Sequence, residues 1–184
     1  MMGESENQVL LVMDIQPGII DRLSDKEAFI ERVVATIASA RAHNIPVIYV
    51  VVAFRPELPE VSAQNKGLST IRESGAAHLI NATPLLPITA DDVVVSKRRV
   101  SAFSGSDLEI LLRTGEFRHL ILSGIVTSGV VLSTVREAAD KDYRLTVLSD
   151  LCGDPDPEVH SILINKIFPR QATVLTSDQW IATL

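Results

Sequence analysis

The sequence predicts an α/β fold built on a mainly parallel sheet. Three observations carry that prediction: six short apolar runs, amphipathic segments that alternate with them, and a length suited to one compact core. The first run, Val9-Leu10-Leu11-Val12-Met13, has no polar interruption, as expected of a strand buried on both faces. Similar runs at 46–52, 93–96, 119–123, 145–148 and 172–175 bring the expected strands to six. Between them, 26–43 places Phe29, Ile30, Val33, Val34, Ile37 and Ala40 at three- and four-residue spacings, which makes one apolar helix face. The stretches 106–113, 128–141 and 157–168 read the same way. Strand and helix in alternation are the signature of right-handed βαβ units with helices on both sheet faces.

The exception is 54–91, rich in Pro, Ser and Asn, where a short helix is expected only at 68–75. A connection this long inside a compact domain is usually functional, so a lid or an oligomer contact is expected. No repeat or linker divides the 184 residues, and one domain spanning 1–184 is expected.

A net charge of −6 repels phosphate backbones, and the one basic run, Lys97-Arg98-Arg99, is too short to offset it, so no nucleic-acid partner is expected. The N-terminus shows no basic stretch followed by an apolar core, and no apolar run reaches the roughly 18–20 residues that span a bilayer. A cytoplasmic protein without a membrane partner is expected. The single cysteine, Cys152, rules out an internal disulfide and fits a reducing compartment.

Ligands of open parallel sheets bind beyond the carboxyl ends of strands, so polar residues that close apolar runs are the candidates for chemistry. Asp14 and Gln16 follow the first run, Lys97 follows the third, and Gly124-Ile125-Val126-Thr127-Ser128 joins the fourth to a helix. A carboxylate beside an ammonium at the mouth of an apolar core can be tuned for proton transfer. The plainer alternative is that Asp14 caps a loop and Lys97 is solvated. The turn at 124–128 opens a helix, so its free N–H groups suit an anion or a carbonyl oxygen, unless Thr127 or Ser128 is simply the N-cap.

Four segments, LLVMDIQ, SKRRVSAFSGSDLEILLR, LSGIVTSGVVLSTVREAADKDYRLTVLSD and DPDPEVH, resemble the isochorismatase-like hydrolases, relatives of nicotinamidase and N-carbamoylsarcosine amidase. The resemblance implies a doubly wound α/β/α fold whose six strands take the order 3-2-1-4-5-6. It also implies a cis peptide between Ile125 and Val126. The amidases of that family use an Asp, a Lys and a Cys. Asp14 and Lys97 match the first two, while the cysteine position, six residues after Gly124, holds Val130. Valine offers no lone pair to attack a carbonyl. Cys152 matches no nucleophile position. In place of the Asp-x-His metal pattern stand Ala53-Phe54-Arg55-Pro56, and the four histidines lack ligand spacing, so neither metal nor cofactor is expected.

True isochorismatases also lack the cysteine and add water to a protonated vinyl ether. By that resemblance Asp14 is the general acid, Lys97 holds it or a substrate carboxylate, and Gln16 orients the substrate. Arg55 and Arg99 are candidates for binding a dicarboxylate, Phe54 and Phe103 for pocket walls, and Val126 and Thr127 for the turn facing the substrate. A small-molecule substrate and a homo-oligomer, dimer or tetramer, complete the expectation. Two rivals stand beside it: an amidase with Ser128 or Thr127 as nucleophile, and a catalytically silent ligand-binding or scaffold protein on the same fold.

Overall fold

The computed structural model describes residues 7–74 and 77–184. Six strands, β1 (Gln8–Met13), β2 (Val47–Val52), β3 (Val93–Lys97), β4 (His119–Ile125), β5 (Arg144–Gly153) and β6 (Thr173–Leu175), form one sheet in the order β3-β2-β1-β4-β5-β6. Every pairing is parallel.

β1 lies at the centre because its side chains serve both faces. Leu10 and Val12 pack toward α1 (Lys26–Ala42), α2 (Lys66–Ser74) and α6 (Ser177–Ile181). Val9, Leu11 and Met13 pack toward α3 (Leu108–Thr114), α4 (Leu132–Asp140) and the α5 segment, which starts with Pro157–Ile162. All five are at most 2% exposed, and burying each side chain stabilises the fold by roughly 1.5–3 kcal/mol.

Three elements depart from the sequence expectation. The third strand is the sheet edge rather than a strand buried on both faces, so Val93 and Val94 stay 38% and 39% exposed. The helix expected at 128–141 begins with a π-helical turn, Thr127–Val131, before α4 takes over. α6 lies beyond the predicted helices, although its capping box, Thr176 with Gln179, is a readable start signal that seats the buried Trp180.

The 54–91 connection is packed rather than open. Phe54 forms a parallel bridge with Ile80, and Leu58, Val61, Leu68, Leu79 and Leu86 extend the α1-side core beneath it. The Arg72 guanidinium ties the turn by donating to the carbonyls of Leu58 and Val61. The expected helix there is α2; position 75 lies outside the described residues. Among the described residues no helix is long and apolar enough to cross a membrane.

Candidate active site

β1 ends where the backbone of Asp14 turns into the left-handed region at φ 57°, with its N–H still bonded to Val50 O at 2.8 Å. Lys97, the last residue of β3, sends its ammonium across β2 to Asp14 Oδ2 at 2.9 Å. Strands lie about 4.8 Å apart, so a group on β3 needs a side chain of lysine's length to reach past β2 to β1. The same ammonium donates to Arg99 O at 2.9 Å. Both side chains are nearly closed to solvent, at 2% and 7% exposure.

Burial raises the Asp14 carboxyl from 3.8 to about 6, because removal from water disfavours the charged form, while Lys97 pulls it back down. Among the described residues Asp14 Oδ1 is the one buried side-chain polar atom without a hydrogen-bond partner. An orphan oxygen beside a paired one is a place where a further hydrogen-bonding or proton-accepting group fits.

β4 supplies the adjoining wall. Gly124, at φ 155°, lies so close to β1 that a Cβ there would stand 2.4 Å from Met13 O, so only glycine is accommodated. The Ile125–Val126 peptide that follows is cis, as the resemblance implies. Val126 is half-buried against the α1-side core. Val130 is buried in the opposite core together with Met13.

Several candidate residues have other duties. Gln16 is fully buried, and both ends of its amide bind the backbone of Val52: Nε2 donates to the carbonyl and Oε1 accepts from the N–H, each at 3.0 Å. It therefore extends the sheet past β1, with both polar atoms of its amide engaged. Phe54 packs within the 54–91 connection. The Arg55 guanidinium, 69% exposed, pairs with Glu60 at 3.0 Å, and the same carboxylate holds Arg98 at 3.3 Å. Arg99 turns onto Arg98 O at 2.7 Å. Phe103 points away from the carboxyl ends: it stacks on Tyr143, just before β5, under the Lys141 ammonium.

The turn after β4 also differs from both readings of it. Its N-cap is Val126, without a side-chain cap, so neither Thr127 nor Ser128 has that role. The Ser128 N–H is taken by Asp154 Oδ2 at 2.8 Å, and Thr127 Oγ1 lies 2.9 Å from His160 Nδ1. His160 was not singled out in the sequence, although it closes the DPDPEVH segment. Cys152 is buried beside Gly124, and burial drives its thiol up to about 12. Among the described residues no three His, Cys, Asp or Glu side chains gather as metal ligands would.

A parallel sheet of this order with a carboxylate–ammonium pair at its carboxyl ends defines a doubly wound α/β fold class, and comparison names the family. The isochorismatase domain profile matches residues 8–179, and the chain belongs to that family. It is 28% identical over 183 residues to the isochorismatase family protein YecD of Escherichia coli O157:H7, covering 98% of this chain and 97% of that one. N-carbamoylsarcosine amidase of Arthrobacter is 28% identical over 149 residues, which span 78% of this chain and 56% of the amidase. The solved structure of an isochorismatase family protein from Burkholderia thailandensis superposes with a TM-score of 0.85 at 25% identity, covering 97% of this chain and 95% of the other.

Proposed function

We propose that this protein hydrolyses a small anionic metabolite in the isochorismatase manner, with Asp14 as general acid and without a cysteine nucleophile or a metal. The observation that carries the reading is Asp14 itself: a carboxyl lifted to about 6, held by Lys97 on one oxygen and unpartnered on the other. A carboxylic acid with a pKa near the working pH is suited to delivering a proton. Val130 at the family's cysteine position removes the cysteine-based acyl-enzyme route but leaves this one intact.

In the proposed reaction the terminal carbon of an enol ether takes the Asp14 proton, and its C=C electrons form the new C–H bond. Water adds to the resulting oxocarbenium carbon and returns a proton to the Asp14 carboxylate. The hemiketal then breaks its C–O bond to the departing oxygen, which takes the proton its hydroxyl gives up, leaving a ketone and an alcohol. Lys97 keeps the carboxylate oriented through both proton transfers. Gln16 acts here as a wall brace rather than a substrate contact. The same reading includes a cytoplasmic homo-oligomer, for which the exposed side chains of Val94 on β3 and of the 68% exposed Ile110 are candidate contacts.

The test is hydrolysis of a panel of enol ether carboxylates, with carboxylic amides as comparators, by the native chain and by Asp14→Asn. Enol ether turnover lost in Asp14→Asn, with the thermal unfolding midpoint showing a folded variant, supports the reading. Turnover of amides alone, or activity that survives Asp14→Asn, refutes it.

The silent-scaffold reading has its own support, because Asp14 Oδ1 is closed to solvent and Val130 is part of the core. An amidase route through Thr127 has less, since Asp154 occupies the Ser128 N–H that would have to stabilise an oxyanion.

A further inference from the structure

The connections leaving β1 and β5 face each other across a cleft of about 280 Å³, which Asp14 and Lys97 do not line. Cys152 and Gly153, at the carboxyl end of β5, form part of its lining, and the carboxyl ends of the strands are where ligands of doubly wound sheets bind. Its size falls near the lower end of small-molecule sites, roughly 300–1,000 Å³.

Two guanidinium groups, from Arg22 and from Arg32 on the second turn of α1, border the cleft without a hydrogen bond or ion pair among the described residues. His160 borders it as well. Thr127 is fully buried, and its hydroxyl has one partner, His160 Nδ1 at 2.9 Å. A buried hydroxyl needs an acceptor for its hydrogen, which leaves Nδ1 to accept and assigns the ring proton to Nε2, the nitrogen without a partner. Burial of His160 favours the same neutral ring, against the raising effect of Asp154.

Two carboxylates also border the cleft, and their situations differ. Asp154 is engaged by two backbone N–H groups, those of Ser128 and Asp156, at 2.8 and 3.1 Å. Asp25 stands at the positive end of α1, which offsets part of its charge. The unsatisfied groups are thus mostly donors. Leu23 and Phe29 supply an apolar wall, with Leu23 lying over Gly153 so closely that a Cβ there would meet it at 2.7 Å.

We propose that this cleft is a second ligand site, separate from Asp14 and Lys97, that takes a small organic carboxylate. The anion lies between Arg22, Arg32 and the His160 Nε2–H, and the apolar body rests on Leu23 and Phe29. Planar guanidinium groups match a carboxylate with paired hydrogen bonds, and an apolar body distinguishes the ligand from inorganic anions.

Benzoate is the probe, titrated into the full chain and followed by calorimetry and by the His160 imidazole NMR signals. The expected result is saturable binding that moves the His160 signals. It should weaken at least about tenfold in the Arg22→Ala/Arg32→Ala double variant, the size of effect expected for a lost charge-assisted contact. Both arginines are exposed, so the double variant should fold, and an unchanged unfolding midpoint verifies it. Binding should persist in Asp14→Asn, which separates this site from the proposed catalytic one. The proposal is overturned by absence of saturable binding, by equal affinity in the double variant, by equal affinity for the neutral isostere benzamide, or by loss of binding in Asp14→Asn.

Discussion

Asp14 and Cys152 lie at neighbouring levels of the sheet: Met13, Gly124 and Cys152 are register partners across β1, β4 and β5, and Asp14 directly follows Met13. Both are buried, and burial raises both. The carboxyl stops at about 6 because Lys97 stands 2.9 Å away and favours the charged form. The thiol goes to about 12: only a backbone hydrogen bond from Gly124 opposes burial, and the charge of Asp150 adds to the rise. Burial alone makes a group inert; burial beside a cation leaves it able to exchange a proton near neutrality. Cys152 is accordingly held as the buried thiol, and Asp14 is the candidate for chemistry.

The largest expected effect comes from removing the cation. Lys97→Met leaves the carboxylate uncompensated and should lower stability by about 3–5 kcal/mol at pH 8, the usual cost of stripping one partner from a buried pair. The loss depends on pH with a definite sign. A raised folded-state pKa means that the folded chain holds a proton the unfolded chain has released, so stability falls as pH rises from 3.8 through the folded value of about 6. Lys97→Met moves that folded value higher still. Urea unfolding should therefore show a much smaller loss at pH 5 than at pH 8. An equal loss at the two pH values would mean that Asp14 does not titrate as described.

A reaction that needs protonated Asp14 has its own pH signature. On the proposed function, kcat/KM should be level below about pH 6 and fall tenfold per unit above it. A rate that rises through the same interval would assign the essential group the opposite role, that of a base.

The comparison sharpens further if a second thiol is placed at Val130, the position that matches the family's cysteine pattern. Val130→Cys should react with iodoacetamide at neutral pH at least about tenfold faster than Cys152, because the thiolate is the reacting form. Adding Lys97→Ala should slow it. The volumes of valine and cysteine differ little, so the core around Met13 should tolerate the change. An inert thiol in a folded variant would show that the Asp14–Lys97 pair does not activate its surroundings and would favour the silent-scaffold reading.

The smallest expected effect is none. Among the described residues no His, Cys, Asp and Glu side chains gather as a metal site would require, so prolonged chelation should leave both the unfolding midpoint and any hydrolysis unchanged. A stoichiometric zinc or iron retained through dialysis would contradict this.

What the chain determines by itself is the set of strands and the two residues that end them. An uninterrupted apolar run such as Val9–Met13 has one low-energy use in water, burial on both faces, and the polar residue that stops it must lie at the sheet margin. Asp14 was legible for that reason and Lys97 because it follows the valine run at 93–95, and the alternation of helix and strand made the parallel sheet legible too. Local pattern carries no information about which strands become edges or which polar atoms pair across the fold. β3 reads like a buried run, yet it ends as an exposed edge. Gln16 looks free beside Asp14 until β2 brings Val52 against its amide, and Arg55 looks free until Glu60 reaches it. Phe103 lies six residues from Lys97 in the chain, but its ring is drawn to Tyr143 at the far end of β5. Thr127 and His160, 33 residues apart, meet only because β4 and β5 are neighbours. Tertiary structure decided these pairings because a buried polar atom must be satisfied by whatever the folded chain brings within about 3 Å, and sequence distance does not bound that choice.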